Sequence, residues 1–553
     1  MPSTQRADTD QAASSAGRGP LGIRASPSSG SDNLKHLPCS GINSQDPLPA
    51  FAKEGILNRL RSTVIKNSLA NMVRGGASAI VALVLPHFLT RALDHDRFAA
   101  WALMLQIAAY ANYLDFGLQT AVARFLAQAI ERRDEEQRDQ LISTTFAMLC
   151  VGALVSALAI GAVVFFLPNL FHQAPSSLFG ELRAGIVVLA VSAALLLPLS
   201  TFTGVLVGLY RNELPAFAIG ASRLLGAVLV IFAVSHTHSL VVLAALTASC
   251  NLAGGLVQYF MARRLLPKMR VALSLATKAM AAELAKYCST LTIWSLGMLL
   301  VTGLDVTIVA HYDFAAVGAY SVAAVFVAFL VGVNNSVYTA MLAPLAVLQE
   351  RGEWRRIGNL VVTVTRLTNF FDTIAILIVF LCGHLLLRFW VGEAYAIQAL
   401  PILKILIIAN AIRLIGAPLS AALVATNQQH FGISGAIIEG ISNFVLSIAG
   451  AMLVGAVGVA LGTLASACIG ILWVFLLMIR WLRAPIVSRA TLLMDGCLRP
   501  VICLLPFIIC VASFNQLLGT NLRGLMIATA MIATAVITWR WGKVWQSHAE
   551  SAA

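Results

Sequence analysis

The sequence predicts an all-α integral membrane protein with about 14 transmembrane helices, each long enough to span a bilayer. Hydrophobic residues make up 59% of the 553 residues and charged residues only 11%, and the mean hydropathy is +0.83. Soluble domains contain roughly a quarter charged residues, so this composition excludes a soluble fold. The apolar runs are too long and too uniformly apolar for the strands of a membrane barrel, which favours helices.

The predicted elements begin after a polar segment. Residues 1–55 are rich in Ser, Pro and Gly, and this composition predicts a disordered cytoplasmic tail. From Val64 onward, apolar runs of spanning length alternate with short polar breaks. We expect transmembrane helices near residues 64–90, 98–122, 141–167, 184–210, 216–234, 239–262, 287–310, 314–345, 360–387, 399–425, 431–454, 456–479, 500–518 and 524–540.

The basic residues predict how these helices are oriented. The chain has 38 Lys and Arg against 25 Asp and Glu, a formal net charge of +13. If the N-terminus is cytoplasmic, most basic residues between the spans fall in cytoplasmic segments, which is the distribution that membrane insertion favours. We therefore expect both termini in the cytoplasm, and a positive charge that sets orientation and does not bind nucleic acid.

A weak internal repeat suggests two similar halves. Asp94 and Glu131 are matched 219 residues later by Asp313 and Glu350. Chance could also produce this pattern, but many transporters are built from such repeats. The repeat predicts an N-lobe of six helices at 56–262, a basic cytoplasmic linker at 263–286, a C-lobe of six helices at 287–480, and two additional helices with a short cytoplasmic tail at 481–553.

Arginines within the predicted spans are the candidate substrate-binding residues. An ionisable group at the centre of a bilayer costs about 2.5–3.5 kcal/mol on insertion scales, and such groups usually face a bundle interior or a wet cavity. Guanidinium groups form bidentate hydrogen bonds with phosphate oxygens. We therefore expect a pyrophosphate or anionic glycan to bind in a central cavity to four arginines from four spans, namely Arg74, Arg223, Arg366 and Arg413.

Three carboxylates in these spans are candidates for ion coupling. Asp305, Asp372 and Glu439 could titrate and link transport to a cation gradient. The alternative for each intramembrane charge is an ion pair that holds two helices together. The two interpretations stay open for every residue taken singly, but the surplus of arginines favours an anionic ligand.

The sequence lacks the motifs of the common membrane enzymes. It contains no GxxxxGK[ST], HExxH or GxSxG segment, and its nine cysteines form no CxxC pair. The predicted external loops are also too short to hold a catalytic domain. We therefore expect a protein that is not an enzyme and that uses neither a cofactor nor a metal.

The first pair of spans carries a family pattern. It runs from Leu85-Pro86-His87-Phe88-Leu89-Thr90-Arg91 through Phe98-Ala99-Ala100-Trp101 to Tyr113-Leu114-Asp115-Phe116-Gly117-Leu118 and Ala123-Arg124-Phe125. This stretch, and the upstream Lys66-Asn67-Ser68, resemble the start of bacterial polysaccharide-biosynthesis and O-antigen flippases. Those flippases belong to the multidrug/oligosaccharidyl-lipid/polysaccharide exporter superfamily. The sequence departs from the family at Ala100, where a glycine is usual.

The resemblance implies a function in polysaccharide biosynthesis. Family members are inner-membrane proteins whose two lobes enclose a central cavity and work by alternating access. The implied substrate is a polyprenyl-pyrophosphate-linked oligosaccharide repeat unit, moved across the inner membrane for surface polysaccharide or exopolysaccharide. The implied partners are this lipid-linked oligosaccharide, the lipid bilayer and other polysaccharide assembly proteins.

Other functions stay open at this point. A drug/cation antiporter of the same superfamily would favour acidic residues in its cavity, and the arginine surplus counts against it. A lipid II flippase would differ in its substrate alone. A membrane glycan polymerase would need a catalytic loop, and a scaffold for glycan assembly would tolerate neutralisation of the intramembrane charges.

Overall fold

The computed structural model describes residues 80–426, 428–478 and 487–502. No strand occurs among these residues, and they include nine helices long and apolar enough to cross a membrane. The predicted all-α membrane fold is therefore confirmed. The predicted tail at 1–55, Arg74 and nearly all of the last two predicted spans lie outside the described residues.

A first group of helices precedes the predicted linker. Short loops join them, and side-chain caps begin two of them: Asp94 accepts a hydrogen bond from the Arg97 amide at 2.8 Å, and Asp134 accepts one from the Gln137 amide at 2.8 Å. The helices are α1 (Ile80–Ala92), α2 (His95–Ala109), α3 (Leu118–Glu131), α4 (Glu135–Phe165), α5 (Phe179–Gly208), α6 (Glu213–Val234) and α7 (Leu240–Leu265).

A second group follows the linker. These helices pack mainly on one another, as those of the first group do. They are α8 (Lys278–Met298), α9 (Asp305–Tyr312), α10 (Val317–Glu350), α11 (Trp354–Val391), α12 (Glu393–Leu414), α13 (Ala417–Ala425), α14 (Gln429–Trp473) and α15 (Arg489–Thr491), the last leading into a π-helical turn at Leu492–Leu498.

Helix α14 is a hairpin of two packed segments. Its backbone leaves helical geometry at Val454 and at Gly455, where φ is +61°. The segments approach so closely that a Cβ atom on Gly450 or Gly458 would collide with the backbone of the other residue. The two predicted spans at 431–454 and 456–479 are therefore found, with their break at the predicted position.

The second predicted span, 98–122, was expected to be one continuous helix, but the structure has two helices there. Helix α2 passes into a 3-10 turn at Tyr110–Asp115, and both Phe116 (φ 52°) and Gly117 (φ 76°) have left-handed backbones before α3 begins. Asp115 accepts hydrogen bonds from the backbone amides of Gly117 and Gln119, so its carboxylate caps α3. The Asp-Phe-Gly sequence is thus the point at which the helix is interrupted.

The seventh predicted span, 287–310, is also interrupted. Helix α8 passes into a π-helical turn at Leu299–Gly303, and α9 begins at Asp305. A π-helical turn leaves backbone carbonyls without their usual helical partners, and such turns are frequent at functional sites. Two interrupted helices, α2–α3 and α8–α9, therefore lie in the chain where uninterrupted spans were expected.

The connector between the two groups is attached to α4. The Ser143 hydroxyl donates to the Arg270 carbonyl at 3.4 Å and accepts from the Ala272 amide at 3.2 Å. The Thr144 hydroxyl accepts from the Thr277 amide at 3.1 Å. These bonds hold the basic segment along the end of α4 and so fix the point at which α8 starts.

The Gly450–Gly458 contact gives a test of the hairpin. We expect Gly458→Val to lower the melting temperature of the detergent-purified protein, because overpacking costs about 1–3 kcal/mol. Gly161 is the matched control, since it lies in α4 with open space around its Cβ position. Equal melting temperatures for Gly458→Val and Gly161→Val, measured by intrinsic fluorescence, would contradict the close packing.

Candidate functional site

The two interrupted helices meet where they are interrupted. The Gln106 side-chain amide donates to the Gly303 carbonyl at 2.7 Å, and the Tyr110 hydroxyl is hydrogen-bonded to the Thr307 hydroxyl. Substrate and ion sites of transporters typically lie at such discontinuous helices. The meeting point of α2 and α8–α9 is therefore the first feature of the candidate site.

Asp305 is buried next to this meeting point. Its carboxylate accepts hydrogen bonds from Asn443 Nδ2 at 3.2 Å, from the Tyr320 hydroxyl at 3.1 Å and from the Thr463 hydroxyl at 3.3 Å. These donors come from both segments of α14 and from α10, and all four residues are buried. The hydrogen bonds stabilise a carboxylate that its surroundings would otherwise disfavour.

Asn443 links the carboxylate to the π-helical turn. Its Nδ2 atom also lies 3.0 Å from the Leu300 carbonyl and 3.0 Å from the Val301 carbonyl, while its Oδ1 accepts from Ser466 at 3.0 Å. The amide thus pairs the carbonyls that the turn leaves free. Asn443 therefore connects Asp305 to the interruption of α8–α9.

Arg413 lies on α12 in the same region and has a carboxylate partner. Its Nε donates to Glu439 Oε1 at 2.5 Å and its Nη1 to Asn410 at 2.9 Å. Its Nη2 is buried and has no hydrogen-bond partner among the described residues. Arg413 is also close enough to Asp305 for an electrostatic interaction. The structure thus brings three of the predicted site residues together.

Arg366 has a different neighbourhood. Its Nε donates to the Asp495 carbonyl at 2.8 Å, and Asn369, one turn later, donates to the Gly496 carbonyl at 3.0 Å. Both carbonyls belong to the π-helical turn at Leu492–Leu498. Arg366 and Asn369 therefore face the C-terminal segment, and Arg366 supports that segment.

The remaining predicted residues are separate from this cluster. Asp372 is buried on α11 and accepts from Asn334 Nδ2 of α10 at 2.7 Å. Arg223 lies on α6, where its side chain is exposed beside the exposed Leu224 and Leu225. The described structure thus divides the predicted set among four places.

Sequence reasoning missed the neutral half of the Asp305 cluster. Asn443 lies one turn after Glu439 and so shares a helix face with it. Thr463 and Ser466 are likewise spaced by three residues in an apolar run. This spacing could have predicted polar faces on the two segments of α14. Nothing in the sequence predicts that Tyr320 of α10 lies beside these faces.

The two helix groups also touch at one end. The rings of His95 and Tyr395 stack with their centroids 4.4 Å apart, and His95 Nε2 lies 3.1 Å from Gln398 Oε1. His87 Nδ1 lies 2.6 Å from the Trp390 carbonyl. These contacts join α1 and α2 to α11 and α12 at the end that the topology prediction places outside the cell.

Two crevices flank α1 near this end. One, of about 630 Å³, lies against α10 and α11 and is lined by Leu83, Phe326 and Trp390 among others. The other, of about 570 Å³, lies against α6 and includes Arg91 and Phe232. None of the predicted site residues lines either crevice, and both are mainly apolar.

The contact between Arg366 and the C-terminal turn is open to a direct test. We expect Arg366→Ala to increase the rate at which maleimide labels Cys497, which is partly buried in that turn. The measurement uses a variant that retains Cys497 and lacks the other cysteines. Arg356→Ala is the control, because Arg356 is exposed at the start of α11 and pairs with Glu353. Equal labelling rates would show that Arg366 does not hold the turn.

Comparison with known proteins places this arrangement in a family. The family model described as "Polysaccharide biosynthesis protein" matches residues 64–347. A curated relative, the "Putative O-antigen transporter" of Shigella flexneri, is 28% identical over 109 residues, which are 19% of this chain and 26% of the relative. The matched stretch thus spans about a quarter of that relative.

Solved structures share the fold. The lipid II flippase MurJ, in an inward closed conformation, aligns with a TM-score of 0.67 at 16% identity, over 87% of this chain and 99% of that chain. An inward-facing multidrug resistance transporter of the MATE family, in the MOP superfamily, aligns with a TM-score of 0.60 at 13% identity, over 73% and 97%. Because the family model covers half of the sequence, the chain belongs to the polysaccharide biosynthesis protein family.

Proposed function

We propose that this protein is a flippase that moves a polyprenyl-pyrophosphate-linked oligosaccharide across the bacterial inner membrane for surface polysaccharide or exopolysaccharide biosynthesis. The observation that carries the proposal is the meeting of two interrupted helices beside the buried Asp305. In transporters, discontinuous helices form the substrate and ion sites within the membrane. Membership of the polysaccharide biosynthesis family supports the substrate class.

The proposed mechanism is alternating access between two lobes. In this proposal an N-lobe at 56–262 and a C-lobe at 287–480, joined by a linker at 263–286, move relative to each other. The contacts of His87 and His95 with α11 and α12 close one end, and they would separate when the lobes rock. The lipid-linked oligosaccharide would then leave on the outer side, with both termini remaining in the cytoplasm.

The arginines are proposed to attract the pyrophosphate. Arg413 offers the clearest geometry, because its buried Nη2 has donors available while Nε and Nη1 hold Glu439 and Asn410. Arg74, Arg223 and Arg366 are proposed to add positive charge along the path. Arg366 would do so while it also supports the C-terminal turn.

The three carboxylates are proposed to have unequal roles in ion coupling. Glu439 is engaged in the ion pair with Arg413, which favours a structural role. Asp305 is linked to the π-helical turn through Asn443. Binding of a proton or cation at Asp305 would therefore change the angle between α8 and α9. Asp372 differs from both, because its donor among the described residues is the neutral amide of Asn334, whereas Glu439 is held by a cation and Asp305 by three donors.

The second candidate is a lipid II flippase, which the fold supports equally well. The MurJ structure aligns with more of this chain than the multidrug transporter does. A sequence identity of 16% supports a shared fold but not a shared substrate. A drug antiporter is less favoured, because a cationic guest would be repelled by the surplus of arginines in the spans. Gene deletion separates these candidates. If the lipid-linked repeat unit accumulates while cell-wall synthesis stays normal, the protein is the oligosaccharide flippase and neither a lipid II flippase nor a drug antiporter.

A charge-pair experiment distinguishes substrate binding from helix pairing at Arg413. Arg413→Met leaves Glu439 unpaired and is expected to destabilise the protein by about 3 kcal/mol. Arg413→Met combined with Glu439→Leu should recover stability, since both charges are removed together. If Arg413 binds substrate, surface polysaccharide stays absent in both variants at normal protein levels.

The control for this experiment is Glu439→Gln, which keeps the guanidinium and a hydrogen-bond acceptor for it. We expect this variant to retain polysaccharide export. Restored export in the doubly substituted variant would show that Arg413 and Glu439 only hold α12 to α14. Lost export in Glu439→Gln alone would assign the requirement to the carboxylate.

Alternating access predicts that a cross-link at the closed end stops transport. His95 and Gln398 are in contact, so cysteines at both positions should react with a short bifunctional thiol reagent. We expect the cross-linked protein to lose flipping of lipid-linked oligosaccharide in proteoliposomes, and a reductant that cleaves the reagent to restore it. The single-cysteine variants are the controls, and unchanged flipping after full cross-linking would contradict separation at this end.

A further inference from the structure

We propose that Asp372 and Asn334 form a proton-binding site between α10 and α11, in which Asp372 is a neutral carboxylic acid in the conformation described here. Asp372 is 1% exposed and lies near the middle of α11. Asn334 is also 1% exposed and lies near the middle of α10. The pair is therefore far from both ends of two long apolar helices.

The hydrogen bonds around the carboxyl group are unequal. Oδ1 accepts a hydrogen bond from Asn334 Nδ2 at 2.7 Å. Oδ2 is buried and has no hydrogen-bond partner among the described residues. A carboxylate anion offers about four lone-pair sites and is costly to bury without donors, so one donor is poor compensation for a full charge.

The Asn334 amide fixes where the proton lies. Its Nδ2 donates one hydrogen to the Leu330 carbonyl at 3.1 Å and the other to Asp372 Oδ1. Oδ1 therefore acts as an acceptor, and a proton on this carboxyl group has to be bound to Oδ2. The neutral acid keeps the amide hydrogen bond and removes the buried charge.

Asp305 provides the comparison within the same chain. It is buried as deeply, yet three donors from three side chains surround its two oxygens. Hydrogen bonds of that kind stabilise the ionised form. The two aspartates thus differ in how far hydrogen bonds compensate a buried charge, because three donors face Asp305 and one faces Asp372.

The charged groups on the neighbouring elements are directed elsewhere. None of the ion pairs among the described residues includes Asp372. On α12, the Lys404 ammonium lies 5.2 Å from the centre of the Phe380 ring, and Arg413 holds Glu439. Arg366, earlier on α11, donates to the Asp495 carbonyl.

The other titratable groups facing this region come from α10 and from the C-terminal turn. The Tyr338 hydroxyl, one turn after Asn334, donates to the Leu414 carbonyl at 3.4 Å. Asp495 is paired with Arg499, and Cys497 is partly buried. Among the described residues no basic group is hydrogen-bonded to Oδ2, so the burial of the carboxyl group, and not a neighbouring base, keeps the proton on it.

The consequence is a way to couple transport to protons. When α10 and α11 separate, water reaches Oδ2, the O–H bond breaks and the proton passes to water, leaving a carboxylate that resists closure. Reprotonation from the other side allows the helices to pack again. This consequence rests on the proposed transport function, whereas the protonated state of Asp372 does not.

Infrared spectroscopy tests the protonated state directly. We expect the spectrum of the wild-type protein in lipid nanodiscs at neutral pH, minus that of Asp372→Asn, to show a carboxylic acid C=O band. Asn has the shape of the neutral acid, so this variant should fold. The control is Asp96→Asn, at an exposed position on α2, which should remove only carboxylate bands. Loss of carboxylate bands in Asp372→Asn would overturn the proposal.

A second variant keeps the test independent of the first. Asn334→Leu removes the donor to Oδ1, so the acid band should remain and shift to higher wavenumber. Absence of any acid band that responds to Asn334→Leu would also overturn the proposal.

In cells, Asp372→Asn is expected to lose polysaccharide export at normal protein levels, and full export would refute the coupling. If the protein did not export polysaccharide, the acid band would still appear. Failure of the proposed transport function is therefore distinguishable from failure of the proposal that Asp372 is protonated.

Discussion

Polar groups in the apolar part of this protein have to draw their hydrogen-bond partners from the chain itself, and this requirement shapes the structure. Lipid offers no hydrogen bonds, so an interrupted helix needs side chains that replace the missing backbone partners. Asn443 does this for Leu300 and Val301, and Gln106 does it for Gly303. The interruptions are therefore held by specific amides from other helices.

The same requirement explains the roles of side chains that look alike in sequence. Arg366 and Asn369 pair with carbonyls of the C-terminal π-helical turn, while Arg413 pairs with a carboxylate. The two arginines occupy similar apolar surroundings, but one stabilises a turn and the other a contact between two helices.

The interruptions lie where the two groups of helices touch, which connects local geometry to the proposed movement. Tyr110 and Gln106 belong to the first group, and Gly303 and Thr307 to the second. A change in the angle between α8 and α9 would therefore shift the hydrogen-bond partners of α2. The Asp305 cluster and the Asp372 pair lie on separate interfaces of the second group, so they provide two independent places at which an ion could bias the same movement.

The sequence by itself determined the membrane class, because length and apolarity of the runs are local properties of the chain. It also determined the hairpin break at Gly455 and named Arg413, Glu439 and Asp305, since charges are conspicuous in apolar runs. It could not show that the spans at 98–122 and 287–310 are interrupted, because Tyr110 and Leu299 are compatible with a continuous helix. Only the tertiary structure decided that Tyr320, Asn443 and Thr463 surround Asp305 while Asp372 has one donor. The physical reason is that a hydrogen-bond partner on another helix is set by packing, which residue spacing along one helix does not encode.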